Sequence, residues 1–158
     1  MKALSLAIAV ALTSTACATV PPAASAQSIS YETGPCFGAC PVFRVTVNSD
    51  GSGTFEGRRF TAVTGERGFR VTPAQYRAFA DQLAPLRPAS GSMRYTGDAC
   101  EMTATDMPSA EVTWRSDAGE QQLYFYYGCD MEENRAIAER LNDARDLLPI
   151  GDFLGNPE

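Results

Sequence analysis

Two cysteines four residues apart, enclosed by prolines and spaced by glycines, make the stretch Gly34-Pro35-Cys36-Phe37-Gly38-Ala39-Cys40-Pro41. It constrains the chain more than any other segment. A bridge between Cys36 and Cys40 would close a very small ring, whose backbone Gly38 can relax. A β-rich domain is expected to begin here. The stretch speaks to compartment and fold; it names no reaction.

Five cysteines occur in all. Cys17 falls in a leader, which leaves Cys36, Cys40, Cys100 and Cys129, and four cysteines allow three pairings. An exported context favours disulfides over free thiols. Cys36–Cys40 is the local candidate, and Cys100–Cys129 is then left. That second bridge would tie the loop before a hairpin at 110–127 to the entry of the last helix. By loop entropy the short ring stabilises by roughly 2 kcal/mol and the long one by about 3.5 kcal/mol. A thiol reading stands beside the structural one. The C-x-x-x-C followed by proline resembles the copper-binding loop of Sco-type copper chaperones, and soft thiolates suit Cu(I). Those proteins need a distant histidine and a thioredoxin-like fold built from βαβ units; this chain has no histidine and reads as hairpins.

Met1 to about Val20 reads as an export signal: Lys2 is a minimal positive n-region, and Ala3 to Leu12 is apolar and uncharged. The run is short for a transmembrane helix and wrongly flanked. Two processing sites fit. Ala24-Ser25-Ala26 follows the small-x-small rule, making residues 1–26 the signal and Gln27 the first mature residue. Ser14-Thr15-Ala16-Cys17 resembles a bacterial lipobox, which would lipidate Cys17, although Ser14 stands where such boxes usually carry leucine. Residues 18–28, rich in Ala, Pro and Ser, form a flexible spacer. One folded unit over 29–150 and a C-terminal tail over 151–158 are expected.

Within that unit, Ile29 to Thr33 predicts a first strand. Phe43, Val45 and Val47 alternate onto one face, Asp50-Gly51 turns, and Thr54 to Arg58 returns. A weaker hairpin is expected from Phe60 to Thr64 and Gly68 to Val71, around Gly65 to Gly68. Thr72 predicts a helix cap, with Pro73 at the first position and Gln75 completing a capping box. Tyr76, Phe79, Ala80 and Leu83 share its apolar face. Pro85 and Pro88 stop it, and Ala89 to Ala99 reads as a loop. Ala110 to Trp114 and Leu123 to Tyr127 predict a further hairpin. Asp130 with Glu133 predicts the start of a second helix, whose apolar stripe is Ile137, Leu141, Ala144 and Leu148. Leu123, Phe125 and Tyr127 belong to the core face, while Tyr124, Tyr126 and Trp114 form either an exposed aromatic face or a second buried one. Phe43, Val45, Val47, Phe79, Leu83, Val112, Trp114, Phe125, Ile137 and Leu141 are expected to be buried together.

The composition removes whole classes of chemistry. Without histidine, Ser-His-Asp and Cys-His catalysis and His-ligated metals are excluded. Lys2 is the only lysine, so a mature chain has none for a Schiff base or a phosphate loop. A formal charge of −6 speaks against a nucleic-acid partner. Asp98, Glu101 and Asp106 cluster near Cys100 and offer a carboxylate pair or a Ca²⁺ site. Their spacing does not match an EF-hand loop, and the plain alternative is a solvated acidic loop.

The residues GPCFGACPVFRVTV followed by NSDGSGTFEG resemble a bacterial family of domains of unknown function marked by a GPCFGxCP stretch, an alternating strand and an Asp-Gly turn. The likeness extends through the Thr72 helix and again through Thr105-Asp106-Met107-Pro108, covering about Ile29 to Pro149. Cys100 and Cys129 are less regular features of that family. The resemblance implies a secreted or lipid-anchored α+β domain and no assigned activity. The sequence as a whole predicts an α+β domain: an antiparallel sheet of about six strands with two amphipathic helices packed on one face. Its expected role is that of a non-catalytic, exported envelope module that binds, assists or inhibits. It is expected to use no cofactor, to meet an unidentified envelope protein or ligand, and to touch the membrane only through a lipid on Cys17. The alternative is thiol–disulfide redox or Cu(I) chemistry at Cys36 and Cys40.

Overall fold

The computed structural model describes residues 27–155. The expected signal, both processing sites, Cys17 and the last three residues lie outside the described residues. No helix among those described is long and apolar enough to cross a membrane.

The fold is α+β, built on a seven-stranded mixed sheet. Its strands are β1 (Ser28–Thr33), β2 (Val42–Asn48), β3 (Ser52–Arg59), β4 (Gly65–Arg70), β5 (Gly91–Tyr95), β6 (Ser109–Ser116) and β7 (Gly119–Tyr126). Across the sheet they run β4-β3-β2-β1-β6-β7-β5. All neighbours are antiparallel except β5, which lies parallel to β7. The helices are α1 (Pro73–Leu83), α2 (Arg135–Asp146) and the short α3 (Gly151–Leu154).

Strand register gathers the core on one face. Ile29 and Tyr31 of β1 stand opposite Val47 and Val45 of β2. On their other side they meet Trp114 and Val112 of β6. These side chains are buried together with Phe79 and Leu83 of α1 and Leu141 and Ala144 of α2. Each fully buried large apolar side chain contributes about 1.5–3 kcal/mol. Ile137 is partly buried and packs against this core. The opposite face carries alternating polar residues such as Arg44, Thr46, Glu111 and Thr113, so one face is helix-covered and the other polar.

The capping box at α1 forms as expected: Gln75 N–H donates to Thr72 Oγ1 at 3.2 Å and Thr72 N–H to Gln75 Oε1 at 2.9 Å. Trp114 is buried with Val112, while Tyr124 and Tyr126 lie half-buried on the opposite face.

Four local expectations are corrected. The sheet has seven strands in place of about six, because 91–95 of the expected loop forms the edge strand β5. The sheet is therefore mixed, since α1 carries the chain from the β4 edge to the far edge, where β5 enters parallel to β7. In the weaker hairpin, residues 60–64 are the connection rather than a strand, and 65–68 belong to β4. Finally, α2 begins at Arg135 with Asn134 as its cap, not at Asp130. Past Ile150, Phe153 of α3 packs against Phe55 of β3 with ring centroids 5.4 Å apart.

Candidate functional site

Both disulfides lie at one end of the domain. Cys36–Cys40 has a Cα–Cα distance of 5.7 Å and Cys100–Cys129 one of 5.3 Å. Each loop is held by a close approach at a glycine and a backbone hydrogen bond beside it. At Gly34 an added Cβ would lie 2.2 Å from Ser109 Oγ, while Gly34 N–H donates to Ser109 O. At Gly128 a Cβ would meet Ala104 O at 2.2 Å, and Ala104 N–H donates to Gly128 O. The small ring is further tied by Thr33, whose hydroxyl donates to Pro41 O and accepts from Phe43 N–H. The two loops then meet each other, for Phe37 N–H donates to Asp106 O at 3.1 Å.

Asp130 explains why the helix starts late. Its carboxylate accepts from Met102 N–H at 2.6 Å and Glu101 N–H at 3.1 Å. It sits at φ +40°, a left-handed conformation that Asp tolerates better than most residues. The carboxylate serves the loop across from it, so it is not free to cap α2. Asn134 takes the helix start and donates its side-chain N–H to Cys129 O at 3.0 Å.

Between this braced end and α2 runs a groove of about 430 Å³, lined by Met107, Phe125 and Tyr127 on one side and Met131, Arg135 and Asn142 on the other. Beyond Tyr127 and Asn142 it meets a cavity of about 270 Å³, lined by Tyr31, Cys40, Met107 and Arg145 among others. A hydrogen-bond chain crosses the junction. The Tyr127 hydroxyl donates to Asn142 Oδ1 at 3.0 Å and lies 3.5 Å from the Tyr31 hydroxyl. Burial pushes the Tyr31 phenol well above its ordinary value, and Tyr127 adds to the shift. Burial also raises Tyr127. At neutral pH both are therefore hydrogen-bonding groups and carry no charge.

The sequence-derived site residues divide. Cys36, Cys40, Cys100 and Cys129 are all in disulfides, the long pair with Cys129 fully buried. Asp98, Glu101 and Asp106 are each exposed. Among the described residues, the converging donor atoms are those of Cys100, Cys129 and Asp130, a group that contains none of the three. Its two sulfurs are bonded to each other, which leaves one carboxylate and no thiolate for a metal. Arg44 sits on the polar sheet face, paired with Glu32. Tyr31, Tyr127 and Asn142 come from three separate elements and had no shared sequence signal.

Fold and site together define a small α+β domain with one end clamped by two disulfides beside a groove. The family model described as a domain of unknown function (DUF6438) matches residues 27–145, and the chain belongs to that family. No curated protein matches it.

Proposed function

We propose that the protein is an exported, non-catalytic domain of the bacterial cell envelope that binds a protein or ligand with its disulfide-clamped end. One observation carries the reading: all four cysteines of the described chain are paired in bridges that brace a groove. Such bridges persist in oxidising compartments and are rare in the cytosol. The apolar leader and its two processing sites agree with export, and a lipid on Cys17 would hold the domain at the membrane. The GPCFGACP stretch is the part of the groove end that we take as the family's mark. The absence of histidine and the acidic charge favour binding over acid–base catalysis or nucleic-acid contact.

Cell fractionation tests the proposal. The full chain is expected in the envelope, a form lacking residues 1–26 in the cytoplasm with reduced thiols. Cys17→Ser separates the anchored from the free form: release from membranes means lipidation, and an unchanged partition means cleavage after Ala26. Envelope localisation of the truncated form would refute export by this leader.

A second reading, thiol–disulfide exchange or Cu(I) handling at Cys36 and Cys40, is favoured by the half-exposure of both residues and by Cys40 lining a cavity with Arg145.

A further inference from the structure

We infer that the clamped end docks a short basic and apolar segment of a partner protein, its large side chains against Met107, Met131 and Phe37 and its cations on the acidic rim. The inference rests on the binding reading above and adds the chemistry of the partner.

The apolar part of this end is exposed. Six large hydrophobic side chains are exposed among the described residues, and three of them belong to this end: Phe37 at 87 %, Met102 at 75 % and Met131 at 52 %. Scattered apolar residues need no explanation, but a connected patch does. Met102 and Met131 line one cleft, and the backbone of Phe37 is tied to the same end. Phe37 is hydrogen-bonded through its backbone to Asp106, the neighbour of Met107. Met131 lines both the groove beside α2 and an adjoining cleft of about 610 Å³ that Met102 also lines. Methionine is flexible and polarisable, and suits a surface that must fit another chain. Phe37, by contrast, is held on a disulfide-closed loop. Little ordering entropy is lost when it is covered, which favours binding.

The charge around it is almost all of one sign. Residues 98–107 and 128–139 carry seven carboxylates and a single cation, Arg135. None of the seven is in an ion pair among the described residues. An acidic rim around an apolar centre selects a cationic partner and speeds its encounter more than it adds affinity. It also repels an anionic membrane surface, so a peptide segment is favoured over lipid. The stretch of α2 facing the groove, Arg135 to Asn142, is about 10 Å long at 1.5 Å per residue. That accommodates about three residues of extended chain, with flanking cations reaching the acidic cleft.

Fluorescence anisotropy with the oxidised full chain tests this. The probe is a labelled peptide of sequence Arg-Leu-Arg-Phe-Arg-Leu-Arg. Two counterparts accompany it, one with glutamate for arginine and one with serine for the apolar residues. The basic apolar peptide is expected to bind saturably, and both counterparts about tenfold more weakly or worse. Met131→Lys and Phe37→Ser each weaken binding by about tenfold, while Leu147→Lys, an exposed apolar position just past the C-terminal end of α2, leaves it unchanged. All three positions are exposed, and unaltered Trp114 fluorescence verifies folding. Absence of binding, equal binding of the serine counterpart, or indifference to Met131→Lys would overturn the inference. So would sedimentation with phosphatidylcholine vesicles without peptide binding, which assigns the patch to lipid. Fractionation judges the envelope reading separately, so a failed titration with envelope localisation removes this inference alone.

Discussion

Replacing Cys100 and Cys129 together by alanine removes a bridge across a sequence separation of 29 residues, against 4 for Cys36 and Cys40. Chain entropy gives about 3.5 kcal/mol for the long bridge and about 2 kcal/mol for the short one. Two structural features adjust the first figure in opposite directions. Cys129 is fully buried, so losing its sulfur adds up to about 1 kcal/mol of packing. The enclosed β6–β7 hairpin is a local structure, and any remnant in the denatured chain shortens the effective loop and lowers the gain. The long bridge should therefore contribute about 3–4 kcal/mol, a large part of a typical domain stability. For a domain of about 130 residues this lowers Tm by roughly 13 °C, and removal of the short bridge by roughly 7 °C. Circular dichroism and Trp114 fluorescence, followed in parallel during thermal unfolding of the oxidised protein, read both changes. A loss under about 1 kcal/mol for the long bridge, or a larger loss for the short one, would refute the reasoning that the long bridge is the main clamp.

Leu141 is fully buried between α2 and the sheet, and Leu141→Ala should cost about 2–5 kcal/mol in chemical denaturation; under about 1 kcal/mol would place that helix face in solvent. Asp130→Ala should cost about 0.5–1.5 kcal/mol by removing the hydrogen bonds to the exposed Glu101 and Met102 N–H groups, with Asp130→Asn milder; equal effects would mean the paired carboxylate is immaterial. Because burial raises the phenols of Tyr31 and Tyr127, the neutral forms are the ones the fold stabilises. Their contribution is complete below the unfolded value near 10 and is lost as pH rises through the folded value. Ultraviolet titration should thus show these tyrosines ionising only with alkaline unfolding. Ordinary titration of all six tyrosines in the folded protein would contradict the buried pair.

What was legible in the chain followed from local physics. Phe43, Val45 and Val47 alternate because β2 buries one face, and Asp50-Gly51 turns it into β3. Thr72 and Gln75 are neighbours in sequence, and so are the hydrogen bonds they exchange. The failures share a different cause, a partner distant in sequence. The strand β5 is mostly exposed and shows no apolar alternation; it is a strand because it meets β7. Asp130 satisfies backbone donors almost thirty residues upstream, and that tertiary demand outweighs its local tendency to cap a helix. The groove was invisible for the same reason, since Tyr31, Tyr127 and Asn142 converge only once β1, the end of β7 and α2 are packed. The cysteine pairing was accessible because assigning the local pair Cys36–Cys40 left Cys100 and Cys129 for each other.

On the function proposed above, Cys36–Cys40 is architecture in an oxidising compartment and not a working redox couple. The direct test is the equilibrium reduction potential of that pair, measured in glutathione or dithiothreitol buffers with alkylation and peptide mass mapping. The structural account predicts a value below about −300 mV, with the Cys36–Cys40 and Cys100–Cys129 pairs intact in protein taken from cells. A value between about −230 and −120 mV, or Cys36 found joined to Cys100 or Cys129, would contradict it and put the redox reading in its place.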